Sequence, residues 1–374
     1  DRGDPLREAR AAFDLPGGLI YLDGNSLGAM PRLAAERARE VVAKEWGVGL
    51  VGSWNEADWW NLPNRLGAKV AGLIGAAPDE VVMTDSTGIN LFKALAAALS
   101  LRPGRRVILL EGSNFPTDNN IAQGLAGLLD RGHEIRFAEE EELDEALDEQ
   151  VAVVCLTDVH YKSGRLLDMA ALTARIHAAG AIALCDLCHS AGVVDLRLNE
   201  CNVDFAVGCG YKYLNGGPGA PGFLFAAQRH QGRALQPLTG WWSHRQPFAF
   251  ERDYRPDAGI RQMLSGTQPV LSLAVAEVGI DIALGVAMSD VREKSRQLTG
   301  LFMELVGQRC GDCGFELITP RDDHRRGSQV AMNHPGGYAI VQALIARGVV
   351  GDFRAPSTLR FGFAPLYNSY CEVW

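Results

Sequence analysis

Long uncharged apolar runs are missing from this 374-residue chain. The longest apolar window, residues 270–288 (VLSLAVAEVGIDIALGVAM), carries Glu277 and Asp281, so it reads as a buried helix of a larger domain rather than a membrane span. Blocks of lysine and arginine are also missing, and a formal charge of −9 argues against a nucleic-acid surface. The opening residues DRGDPLREARAAF are charged and lack the apolar stretch of an export signal. Eight cysteines without such a signal point to free thiols in a reducing compartment, and so to the cytoplasm. No internal repeat, low-complexity segment or obvious linker interrupts the chain. What is present is ordinary globular composition, 47% hydrophobic and 22% charged, at a length that predicts one large and one smaller lobe.

The order of elements predicts an α/β lobe. A helical pattern over 87–101 precedes a β-type run at 106–110, a polar turn EGSNFPTDNN and a second helical run, IAQGLAGLLDRG. Strands are expected at 151–159, 181–186, 203–209 and 222–227, with an Ala-rich helix at 169–180. Continuous β-type runs alternating with amphipathic helices imply a mostly parallel sheet covered on both faces. Ligands in such sheets collect beyond the carboxyl ends of the strands. After a helical stretch to about residue 308, strands at 314–320, 328–333 and 359–364 and a helix at 337–348 suggest a small α+β set. Its charged turn RDDHRRG (321–327) reads as solvated.

Three motifs compete for attention. Cys185-Asp-Leu-Cys188-His189 fits the C-x-x-C-H pattern of haem attachment, and Cys310-Gly-Asp-Cys313 is a second C-x-x-C far outside zinc-ribbon spacing. Cys185 ends the apolar run AIAL, so core and loop thiols are the better reading of both pairs, and no metal site is expected. Gly217-Pro-Gly219-Ala-Pro-Gly222 fits G-x-G-x-x-G, but two prolines interrupt it and a strand follows instead of a helix. Small residues that let the backbone run close to a neighbouring lysine explain it better.

That lysine carries the main chemical signal. Asp186 ends one buried strand, and Lys212 lies just past the next, in FAVGCGYKYLNGGPG. A lysine so placed can form a Schiff base with an aldehyde cofactor, and a carboxylate can hold a pyridine ring nitrogen protonated. Thr87 and Gly88 open a helix whose free N–H groups suit a phosphate dianion.

Taken together, YLDGNSLG (21–28), DSTGINLFKAL (85–95), NFPTDNN (114–120), DLCHSAG (186–192), GYKYLNGGPG (210–219), GWWSH (240–244) and RFGFAPLYNS (360–369) resemble the kynureninase family, in that family's order. The resemblance runs from about residue 6 to the last residue. It implies the fold-type-I architecture of enzymes dependent on pyridoxal 5'-phosphate. It also implies an N-terminal segment (1–45) packed on a small domain (286–374), around a cofactor-binding domain (46–285). The implied reaction is hydrolysis of L-kynurenine, or its 3-hydroxy derivative, to anthranilate and L-alanine in tryptophan catabolism. Lys212, Tyr211 and Asp186 are the implied catalytic groups. Thr87, Gly88, Phe115, Pro116, Thr117, Asp118, Asp186, His189, Tyr211, Lys212, Trp241 and Thr267 are the implied cofactor contacts. Trp241 and Thr267 are expected to reach the partner's cofactor across a homodimer interface. Ser26, His244 and Arg360 are implied to bind substrate, Arg360 through a two-point clamp on the α-carboxylate. Trp46 and Trp60 read as packing residues. Two alternatives stand beside this reading. One is a cysteine desulfurase or selenocysteine lyase of the same fold, for which Cys313 is the loose candidate thiol. The other is a haem or redox-binding protein.

Overall fold

The computed structural model describes residues 1–374. Helix α1 (Leu62–Ile74) leads into β1 (Val81–Thr84), followed by α2 (Thr87–Ser100), β2 (Val107–Leu110), α3 (Pro116–Leu129), β3 (Glu134–Phe137) and β4 (Val151–Thr157). Then come α4 (Met169–Ala178), β5 (Ile182–Asp186), β6 (Phe205–Cys209) and β7 (Gly222–Ala226). The seven strands form one sheet in the order β1-β7-β6-β5-β4-β2-β3. Only β7 runs antiparallel to its neighbours; the run from β6 to β3 is parallel.

Every residue of β4 and of β7 is buried, as a sheet covered on both faces requires. Alternation along β7 divides the core. Phe223 and Phe225 pack with Leu66 and Val70 of α1, while Leu224 faces Leu91 and Leu95 of α2. Each such side chain contributes about 1.5–3 kcal/mol when fully buried. Helix α1 stops at Gly75, whose φ of 66° a residue with a Cβ tolerates poorly. Helix α2 starts at Ser86, whose side chain accepts from Ile89 N.

After α5 (Val270–Leu284) the chain bends by 84° into α6 (Met288–Cys310), and no single helix is long and apolar enough to cross a membrane. Four later strands, β8 (Glu316–Leu317), β9 (Gln329–Asn333), β10 (Asp352–Arg354) and β11 (Thr358–Gly362), form an antiparallel sheet ordered β8-β9-β11-β10. Ile20 and Tyr21 pair in parallel with Val349 and Val350, so an early segment of the chain is hydrogen-bonded to a late one.

Four expectations need correction. Helix α3 begins at Pro116, inside the segment read as a turn, because proline's fixed φ and missing N–H suit a first helical position. The edge strand β3, with the mixed sequence EIRF, gave no β-type run to detect. The turn RDDHRRG is not simply solvated: Arg326 is buried against Thr299 Oγ1, and Arg325 pairs with Glu140 of the large lobe. Trp60 stacks on Trp242 with centroids 4.8 Å apart, but Trp46 is 63% exposed and packs on little.

Gly222 tests how tightly β7 is held. A Cβ there would lie 2.7 Å from the backbone oxygen of Gly208 and 3.1 Å from Thr87 N. Gly222→Ala is expected to lower unfolding free energy by about 1–3 kcal/mol in urea titration, as overpacking of a rigid core does.

Candidate active site

The parallel register brings the site together. Asp186 ends β5 opposite Thr157 of β4 and Val207 of β6. Lys212 follows β6, α2 begins just after β1, and α3 begins just after β2, so their ends converge on one edge. A cavity of about 650 Å³ opens there. Asn25, Ser26, Thr87, Gly88, Phe115, Thr117, Asp118, Asp186, His189, Tyr211, Lys212 and Arg360 all line it. Glycines make that convergence possible. A Cβ on Gly28 would lie 2.3 Å from Lys212 O, and one on Gly362 would lie 1.9 Å from Asn25 Oδ1.

Lys212 Nζ lies 2.9 Å from His189 Nε2 and 5.9 Å from the centre of the Tyr211 ring. Burial by itself would favour the neutral amine. Cys209, Cys188, Tyr211 and Asp186 around it outweigh burial, and the net direction is upward. Its acidic surroundings, not its burial, therefore set the charge of Lys212. His189 goes the other way: burial, then Lys212 and Arg360, push its imidazole well down, so it is neutral and accepts from the lysine. Burial, followed by Cys209, pushes the Tyr211 phenol up to about 12.

Asp186 Oδ1 accepts from Cys188 N at 2.7 Å. Asp118 is nearly fully buried and accepts from Asn114 Nδ2 at 2.9 Å. Burial and the neighbouring Asp186 hold Asp118 well above the usual carboxylate range, so Asp118 keeps its proton. On the opposite wall Thr87 Oγ1 lies 3.3 Å from Gly208 O, at the start of a helix with free N–H groups. Lys93 is wholly buried below that turn and bonds Asp85 Oδ2 at 2.6 Å and Met263 O at 2.7 Å.

Arg360 is fully buried and its fork is already engaged: Nε donates to Asp352 Oδ1 at 2.8 Å, and Nη2 pairs with Asp352 Oδ2. Ser26 Oγ donates to the same Asp352 at 3.0 Å. Phe115 caps α3 and meets Tyr161 edge-to-face at 5.3 Å.

Four candidates lie outside the cavity. Pro116 is the first residue of α3 and shapes the turn. Trp241 is 43% exposed beside Trp60 and Phe248, and Thr267 is exposed. His244 is buried, with Nδ1 accepting from Gln246 N at 2.9 Å. Sequence reasoning missed Asn25, Asp85, Tyr161, Cys188 and Arg354, all cavity-lining. Arg354 shares a face of β10 with Asp352, two residues away, which only the observed strand reveals.

The donor set fits pyridoxal phosphate. A helix N-terminus with Thr87 and Gly88 faces a glycine position, Gly222, that leaves room beside Thr87 N. Asp186 supplies the carboxylate and Lys212 the amine, with His189 between the two in sequence and against the lysine in space. Lysine, carboxylate and anion cradle on the carboxyl edge of a mostly parallel sheet define a pyridoxal-phosphate enzyme of fold type I.

Solved structures of that class superpose on the whole chain. A cysteine desulfurase from Thermococcus onnurineus NA1 matches with a TM-score of 0.82 at 19% identity, over 98% of this chain and 94% of its own. C-DES with glycine covalently linked to its PLP cofactor matches with a TM-score of 0.81 at 17% identity, over 97% and 96%. At these identities the likeness is one of fold. Sequence is more specific. A kynureninase of Burkholderia mallei (strain ATCC 23344) is 52% identical over 379 aligned residues, covering 100% of this chain and 91% of the relative. The family model described as Kynureninase C-terminal domain matches residues 291–374. The chain belongs to the kynureninase family.

Asp186→Asn is expected to weaken pyridoxal phosphate binding about tenfold to a hundredfold, the scale of one hydrogen bond to a charged partner. Fluorescence titration of the cofactor-free protein reads it, and an unchanged dissociation constant sinks the assignment of Asp186 to the ring nitrogen.

Proposed function

We propose that this chain hydrolyses L-kynurenine to anthranilate and L-alanine, using pyridoxal phosphate. The observation that carries the proposal is full-length likeness to kynureninases at 52% identity, joined to a cavity that gathers Lys212, His189, Asp186 and Arg360.

The bound cofactor supplies an electron sink for the pair released when the substrate's Cα loses its proton. The chain's residues do the rest. Lys212 Nζ holds the cofactor at rest and, once freed, moves the proton at Cα; neutral His189 Nε2 aims that amine. Asp186 keeps the ring nitrogen protonated, while Asp118, itself protonated, lies beside it as a hydrogen-bond donor. Phe115 and Thr117, which line the cavity, would border the bound ring. Thr87 and Gly88 bind phosphate, with Pro116 fixing the turn that presents Phe115. Water adds to the γ-carbonyl, the Cβ–Cγ bond breaks, and the electron pair ends on the alanine fragment. Tyr211, still protonated at neutral pH, is placed to return a proton to that fragment.

The active unit in this reading is a homodimer of two-lobed subunits, with domain limits near residues 45 and 285. Exposed Trp46, Val48, Val51, Trp241, Phe248 and Phe250 support a large buried contact. Trp241 and Thr267 then serve the partner's phosphate, and His244 its substrate. Eight free cysteines favour a reducing cytoplasm. A desulfurase reading is disfavoured, because Cys313 ends the short helical turn after α6 and does not reach the cavity. A haem reading is disfavoured too. Cys188 lines the main cavity while Cys185 lines a separate small void with Leu172 and Ile176.

Two outcomes are expected. Pyridoxal-phosphate-loaded protein should release fluorescent anthranilate from L-kynurenine, and Lys212→Ala should abolish turnover and the yellow, borohydride-bleachable absorbance. Mixed dimers of Lys212→Ala and Trp241→Ala subunits should recover activity, since one of their two sites is then intact. Recovery absent after verified subunit exchange counts against sites shared between subunits.

A further inference from the structure

Arg360 has little left to offer a substrate. Of its five N–H donors, Nε and one Nη2 hydrogen serve Asp352, the other Nη2 hydrogen serves Ser26 Oγ at 3.3 Å, and one Nη1 hydrogen serves Tyr161 O. A single Nη1 hydrogen remains. Asp352 does not step aside easily, since it sits directly across the β10–β11 pair from Arg360. Burial alone would raise its carboxyl, but Arg360 and Arg354 bring it below the usual range, so it stays ionised. A two-point clamp from Arg360 alone therefore needs the breaking of a buried ion pair.

Arg354 supplies what is missing. It lies two residues from Asp352, on the same face of β10, and lines the same cavity as Lys212, Ser26 and Arg360. Its Nη2 is 2.9 Å from Asp352 Oδ2; the side chain is 42% exposed, yet its Nε is a buried atom with no acceptor in the protein. A buried, unpaired guanidinium donor costs free energy unless something arrives to accept from it. The other acid of this corner, Asp23, is pushed up to about 6 by burial and by Asp352. Asp23 is still mostly ionised at neutral pH, so the opening for an incoming carboxylate is the unpaired Nε–H of Arg354 beside the free Nη1 hydrogen of Arg360.

We propose that Arg354 is a second substrate-binding arginine, and that the α-carboxylate is held between Arg354 and the free Nη1 hydrogen of Arg360 rather than by Arg360 alone. The inference rests on the kynurenine reading for its substrate, and on the cavity alone for its chemistry. Lysine in place of Arg354 keeps the charge but loses the planar fork.

The test uses cofactor-loaded enzyme with L-kynurenine, and as inhibitor the decarboxylated analogue in which hydrogen replaces the carboxylate. Arg354→Gln should raise KM about tenfold, the scale of one charged hydrogen bond. Its kcat should change little, and the inhibition constant of the analogue should stay unchanged. Arg354→Lys should fall between, and it carries the test if the glutamine variant does not fold. An unchanged KM, or a KM and inhibition constant that rise together, overturns the proposal. Wild-type enzyme that leaves kynurenine intact overturns the assigned reaction instead. Arg354 is then judged by titrating the bound cofactor's absorbance with L-alanine, whose apparent affinity Arg354→Gln must lower.

Discussion

Hydrogen bonding among the parallel strands β4, β5 and β6 is the constraint on which the site depends. It fixes Thr157, Asp186 and Val207 at one level, so the chain leaving each strand must turn at the same edge. A slip of one residue would turn Asp186 to the other face of the sheet. The buried side chains of β4, set against α2 on one face and α4 on the other, resist that slip. Sheet stability and site geometry are thus the same set of contacts seen from two ends.

Around that edge the electrostatics are arranged in opposed pairs. Lys212 is raised by its acidic neighbours while His189 beside it is driven neutral, so two basic groups 2.9 Å apart do not both carry charge. Asp118, buried beside Asp186, is likewise held protonated. The substrate corner follows a different rule: Arg360 and Asp352 are both ionised and hold each other rigid. Removing one member of such a buried pair costs about 3–5 kcal/mol, because the other charge is left stranded. That rigidity explains why a fully buried arginine is tolerated, and why it is poorly placed to serve alone as a receptor.

The sequence made the centre of the site legible and left its rim obscure. Asp186 and Lys212 stand out because a polar residue ending a continuous apolar run has few structural explanations. Thr87 and Gly88 stand out because a helix start after a strand is a recurring anion cradle. Asp352 and Arg354 did not, since GDFR looks like any charged edge segment until its pairing with β11 is known. Strand β3 was hidden by the polarity an edge strand is free to have. Trp241, His244 and Thr267 were named from family likeness. All three lie outside the cavity, and nothing local in the sequence signals that.

The short parallel pairing of Ile20 and Tyr21 with Val349 and Val350 bears on how the molecule comes into being. Ser26 and Gly28 can close over Lys212 only after Arg360 and Gly362 have left the ribosome and β11 has formed. The cradle residues Thr87, Asp186 and Lys212 all lie earlier in the chain, on the edge of the seven-stranded sheet. A nascent chain can thus acquire its cofactor pocket while its substrate pocket does not yet exist. Removing the last strand thus strips the site of one wall while leaving the cradle's own residues in the chain.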